Sequence, residues 1–122
     1  MFKWILIIRK KTGMNREEFI EYYEHRHVPL VRKLLPPMPT YRRNYVANDP
    51  MQALADRGSG TVEASFDVMT ECIFDTREQA EAFMAAFADP DISREILQDE
   101  ANFIEPGHVR MYIVEVRQTV VP

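Results

Sequence analysis

Apolar residues follow two periods along this chain, two at some stretches and near 3.6 at others, and the alternation between them sets out the elements. Residues 2–9 read as a strand with Phe2, Trp4, Leu6 and Ile8 on one side and Ile5 and Ile7 on the other. A strand apolar on both sides is covered on both faces. A polar turn holding Gly13 follows, and Asn15 opens a helix with Glu18 three residues on, the spacing of a capping box. At 100° per residue, Phe19, Ile20, Tyr23, Leu30, Val31 and Leu34 fall within about 120° of one another, an ordinary core-facing stripe. His27 lies near the middle of that stripe, where a leucine would pack without needing a hydrogen bond. His25 points the other way, among Glu17, Glu18 and Glu21. Pro29 cannot donate to the His25 carbonyl and pushes Val28 away from α geometry. A kink or restart is therefore predicted there, with room beside His27.

The run PPMP ends the helix, and residues 40–48 form a second strand with Tyr41, Arg43 and Tyr45 opposite Arg42, Asn44 and Val46. Residues 49–61 read as a loop with one helical turn at 51–55, long enough to be functional. The third strand, 64–74, sets Phe66, Val68, Thr70, Cys72 and Phe74 against Asp67, Met69, Glu71 and Ile73. Two carboxylates inside an apolar strand need partners. Thr76 caps the next helix, whose stripe of Ala80, Phe83, Met84 and Phe87 is core rather than a cofactor box. Asp89-Pro90 breaks it, 91–103 is a third helix, and Pro106-Gly107 turns the chain into a last strand at 108–118.

The order βαββαβ, with one extra helix, is the ferredoxin-like arrangement: one α+β domain over residues 1–122, a four-stranded antiparallel sheet with helices on one face. Its first and third strands also offer apolar residues to the opposite face. A second copy of the sheet is the simplest cover, so a homodimer through sheet faces is expected.

Composition narrows the function classes. A net charge of −4 and no basic cluster argue against nucleic acid as a partner. The single cysteine, Cys72, rules out a disulfide framework and suits a reducing compartment. The apolar N-terminal run is too short to cross a membrane and lacks a signal-peptide layout, so a cytoplasmic protein with no membrane partner is expected. No metal is expected: His25 and His27 diverge on a helix and His108 is distant from both. No glycine loop opens a helix in a phosphate-binding pattern, and no cofactor is expected.

What remains is His27 with Tyr23, Tyr41, Asn44, Asp67 and Glu71. Imidazole titrates near neutrality and suits proton abstraction from an acidic carbon or hydroxyl. A carboxylate could orient it, and Tyr or Asn could hold an enolate or phenolate oxygen. Each residue also has an ordinary reading: a buried histidine satisfied by one hydrogen bond, tyrosines at core edges, a strand-end asparagine, a surface aspartate.

The segment EEFIEYYEHRHVPLVRKL, followed by PTYRRNYV and FDVMTECIFD, resembles the EthD family of dimeric α/β-barrel proteins. The specific part is the helix ending H-x-P-L-V, here His27, Pro29, Leu30 and Val31; Tyr41, Asn44, Asp67, Glu71 and Phe74 match supporting strand motifs. The resemblance implies a ferredoxin-like fold whose dimer closes two sheets into a barrel, with a pocket between sheet and helices in each subunit. Relatives include anthraquinone and polyketide dehydratases or cyclases and a muconolactone isomerase. Tyr45 departs from the pattern, since many relatives carry a histidine after the Asn. The expectation is a small enzyme of dehydratase, cyclase or isomerase type. It would act on a small hydrophobic ligand, an aromatic, polyketide-like or lactone substrate, with His27 as acid or base. The alternatives are a cofactor-independent monooxygenase and a non-catalytic binding protein.

Overall fold

Alternating apolar residues in β1 (Phe2–Lys10) place it inside the sheet, where it pairs with β3 (Val68–Phe74) on one edge and β4 (Ile104–Val114) on the other. The computed structural model describes residues 1–56 and 66–122. β2 (Thr40–Tyr45) pairs with β3, giving the antiparallel order β2-β3-β1-β4 of a ferredoxin-like fold. The expected start of the third strand at 64–65 and the end of the 49–61 loop lie outside the described residues.

Between β1 and β2 the chain is helical throughout, but not α-helical throughout. Asn15 caps α1 (Arg16–Tyr22) by accepting from Glu18 N, and the Glu18 side chain accepts from Asn15 N, closing the capping box. Residues Tyr23–His27 then form a π-helical turn, and α2 (Val28–Leu34) continues from it. The kink predicted at Pro29 is therefore absorbed one turn earlier. Val28 keeps α geometry (φ −57°, ψ −47°), contrary to expectation, and donates to the Tyr23 carbonyl five residues back. A π turn holds one residue more than an α turn and is often found at functional sites. Proline follows at the join, within the first two residues of α2.

The turn also shifts the buried stripe. Phe19, Tyr23, His27, Val31 and Leu35 are all buried, a strict four-residue ladder, whereas Leu30 and Leu34 are only partly so. On an ideal α-helix the ends of that ladder diverge by roughly 160°. The wider turn brings them back into line.

α3 (Gln52–Ala55) is the single exposed turn expected of the loop. Thr76 caps α4 (Arg77–Phe87) through Gln79 N, and Asp89 caps α5 (Pro90–Glu100) through Asp91 N and Ile92 N. β4 begins four residues before its predicted start. Pro106-Gly107 does not turn the chain but sits within the strand, where pairing steps from Ile8↔Val109 to Lys10↔Ile104 and the extra residues bulge. Gly107 has φ +77°, a left-handed conformation that glycine adopts without strain.

Helices cover the face of the sheet bearing Trp4, Ile8, Val68, Thr70, Cys72 and Phe74. Trp4 packs between Phe74 (4.8 Å between centroids) and Phe83 (5.7 Å) at one end. Phe103, fully buried, meets the rings of Phe19, Tyr22, Tyr23 and His27 at the other. Truncating such a ring to Ala costs roughly 3–5 kcal/mol. Ile5, Ile7, Met69, Ile73 and Tyr112 form the opposite face.

Candidate functional site

The ladder Tyr23, His27, Val31 of the helix and the row Trp4, Leu6, Ile8 of β1 do not close onto each other. Between them lies a half-open cavity of about 440 Å³, lined further by α4, α5 and residues of β2, β3 and β4. Its lining is mostly aliphatic and aromatic, and its polar groups are few: His27, Tyr23, Tyr41, Cys72 and Glu100.

His27 is 5% exposed. Its Nδ1 lies 2.8 Å from Asp99 Oδ2, on α5. The other Asp99 oxygen accepts from the Tyr22 hydroxyl at 2.6 Å, and the Tyr22 oxygen accepts from Asn102 Nδ2 at 2.8 Å. A carboxylate at Nδ1 selects the tautomer with hydrogen there, leaving Nε2 as an acceptor. Burial lowers the pKa of His27, against the pull of Asp99, which favours the neutral imidazole that a base requires.

The tyrosines of the cavity are weak acids. Burial pushes Tyr23 up to about 12, although its hydroxyl shares a 2.7 Å hydrogen bond with Thr70 Oγ1, and burial raises Tyr41 well above the usual phenol range. The Cys72 thiol is likewise pushed by burial up to about 12. All three are therefore hydrogen donors at neutral pH rather than nucleophiles. Glu100 is raised to about 7, first by burial and then by the charge of Asp99.

Of the residues singled out by sequence, Tyr23, His27 and Tyr41 come together in the cavity. The others do not. Asn44 and Glu71 lie on the opposite face of the sheet, where Asn44 Nδ2 donates to Glu71 Oε2 at 2.9 Å and the Lys3 ammonium binds Oε1. Lys3 first, then Asn44, hold the Glu71 carboxyl below its usual range. Asp67 accepts from Lys10 N at 2.7 Å, at the start of β3, and serves the backbone there. The carboxylate on His27 is thus Asp99, neither Asp67 nor Glu71.

Sequence reasoning missed Asp99, Glu100 and Tyr22. One signal was available for the acids. Both stand in the last turn of α5, where no basic residue accompanies them and the helix dipole disfavours negative charge. Tyr22 carries no such signal, because it lies off the buried stripe. Among the described residues no group of three or more His, Cys, Asp or Glu is arranged to hold a metal ion.

A family model described as EthD domain matches residues 11–107. Among solved structures, an EthD family protein of Bacillus halodurans C-125 superposes with a TM-score of 0.61 at 20% identity, covering 96% of this chain and all (100%) of that one. An EthD-like protein of Ralstonia eutropha JMP134 gives 0.59 at 23% identity, covering 97% and 96%. A protein of Arabidopsis thaliana gives 0.60 at 13% identity, covering 99% and 100%. At these identities the likeness is one of fold. No curated protein matches the sequence.

Proposed function

Since this chain belongs to the EthD domain family, we propose that it is a small enzyme of dehydratase, cyclase or isomerase type, built for proton transfer on an aromatic, polyketide-like or lactone substrate. The observation that carries this reading is the His27–Asp99 pair. One nitrogen of a buried, neutral-leaning imidazole is tied to a carboxylate, and the residue lines an apolar cavity of small-molecule size. His27 acts as base and then as acid, Asp99 orients it, and the Tyr23 and Tyr41 hydroxyls offer hydrogen to a developing oxyanion. This chemistry needs only proton carriers.

The face of the sheet turned away from the helices belongs to the same reading. Ile5, Ile7, Met69 and Ile73 surround the Lys3–Glu71–Asn44 cluster, and a second copy is the proposed cover, joining two sheets into a barrel. No described helix is long and apolar enough to cross a membrane. The free thiol of Cys72 fits a reducing, cytoplasmic setting.

The test is a screen of hydroxylated polycyclic ketones and lactones under nitrogen and under air. A spectral change that proceeds without oxygen, and is lost in His27→Gln, supports the reading. Oxygen uptake in step with turnover replaces it with a monooxygenase. Protection against melting with no turnover leaves a binding protein.

A further inference from the structure

We propose that Glu100 is the second proton carrier of this cavity, working with His27, and that the site accepts uncharged, enolisable carbonyl compounds and rejects carboxylates. The inference deepens the proton-transfer reading above and rests on it.

Three observations support it. Among the described residues lining the cavity, Glu100 is the one carboxylic acid, and no Lys or Arg is among them. Its carboxyl has no hydrogen-bonding or ion-pairing partner among the described residues; besides burial, only the charge of Asp99 acts on it. It also ends α5, at the negative end of the helix dipole, with no basic residue in that last turn. A carboxyl so placed is favoured in its protonated form, as a donor without an acceptor. A ligand carbonyl or hydroxyl in the cavity is the missing acceptor. A ligand carboxylate would instead meet Glu100, with no Lys or Arg among the described lining residues to balance it.

The step balances without a further reactant. His27 Nε2 takes a proton from the carbon beside a ketone. The C–H pair becomes the C=C bond of an enol, the carbonyl π pair moves to oxygen, and that oxygen takes the Glu100 proton. The products are enol, imidazolium and carboxylate, and reversal or exchange with water restores both groups. Where a hydroxyl sits β to the carbonyl, the enol returns its proton to the Glu100 carboxylate as the C=O re-forms, its C=C pair becomes the new α,β double bond, and the imidazolium gives its proton to the departing oxygen, releasing water.

The probes are β-tetralone, an uncharged enolisable ketone; β-naphthol, its aromatic enol counterpart; and β-naphthoate, the same rings bearing a carboxylate. Deuterium entry into β-tetralone in heavy water is followed by NMR for the intact protein, Glu100→Gln and His27→Gln, and binding of the two naphthalenes by calorimetry. Gln is isosteric with Glu and removes a poorly solvated acid, so a melting curve at least as high as wild type is expected of Glu100→Gln. The expected result is exchange slowed at least about a hundredfold in either variant. β-Naphthol should bind wild type at least about tenfold more tightly than β-naphthoate, and Glu100→Gln should erase most of that preference. Wild-type exchange rates in Glu100→Gln, with loss in His27→Gln, overturn the role of Glu100 and leave the enzyme reading standing. A wild type inert toward β-tetralone whose charge preference nonetheless depends on Glu100 overturns the enzyme reading and keeps the ligand contact. Equal binding of β-naphthol and β-naphthoate by wild type overturns the specificity.

Discussion

Asp99 and His27, 72 residues apart in the chain, meet at 2.8 Å between Oδ2 and Nδ1. The pair fixes which imidazole nitrogen is free and depends on Tyr22, which donates to the second Asp99 oxygen. In Asp99→Asn the Tyr22 hydroxyl keeps its acceptor, so the amide nitrogen turns toward Nδ1 and the proton moves to Nε2. Turnover should fall roughly 10²–10⁴-fold with little change in ligand affinity or melting temperature. Nitrogen NMR of the ring reports the tautomer directly; an unchanged tautomer with full activity would remove Asp99 from the mechanism.

His27→Leu tests whether the imidazole is a packing element. From the stripe alone, leucine would fit without cost. Asp99 reverses that expectation, because the substitution leaves a poorly exposed carboxylate oxygen without its donor. The variant should be inactive and less stable by roughly 1–3 kcal/mol at neutral pH. Adding Asp99→Asn should recover part of the loss, a coupling that a double-mutant cycle on melting free energies measures. Additive losses would mean that the two side chains do not depend on each other.

Glu100 should leave its mark on stability against pH. Its folded pKa is raised to about 7 from 4.5, so between those values the folded state holds a proton that the unfolded chain has released. Stability from this group is fully present below about 4.5 and declines as pH rises through about 7. His27 acts in the opposite sense: its folded pKa is lowered from 6.5, and its contribution is lost as pH falls through that window. Asp99 on α5, His27 and Tyr23 on the π turn, Tyr41 on β2 and Cys72 on β3 are the other ionisable groups around the site, and the phenols and the thiol remain protonated throughout. The informative quantity is therefore the difference between wild type and Glu100→Gln, which should grow in favour of Gln from acid to neutral pH. A constant difference would place Glu100 in open solvent.

A dimer through the outer sheet face should bury on the order of 1,200 Å² or more in total. Ile7→Glu, in the centre of that face opposite Met69, should convert it to monomer in sedimentation while leaving helix content unchanged. Wild type sedimenting as a monomer at micromolar concentration would end the barrel.

The sheet and its faces were legible in the sequence because a period of two leaves no doubt about which residues share a side. Val68, Thr70, Cys72 and Phe74 fall on the helix face as their alternation requires. The same rule applied across the sheet separates Asn44 and Glu71 from His27, since Tyr41 and Asn44 differ in parity. Proximity in a family motif concealed that separation. Asp99 was not legible because its partner lies in another helix, and pairing between helices has no period. The start of β4 was misplaced because Pro-Gly signals a turn locally, whereas here the strand pairs on both sides of it and expels the surplus residues as a bulge.

The π turn has a further consequence in the number of residues rather than their kind. Removing one exposed position from it, such as Arg26, lets α1 run into α2 as a single regular α-helix. In that shorter chain Val31 and Leu35 still fall on the same side as Phe19 and Tyr23, by roughly the 100° step of an α-helix, while the imidazole falls about 50° from their mean direction. Packing alone is therefore served by a chain one residue shorter. The surplus residue holds the imidazole in phase with Asp99, so a deletion variant, in which a regular helix also has to pass through Pro29, should lose the site and some stability.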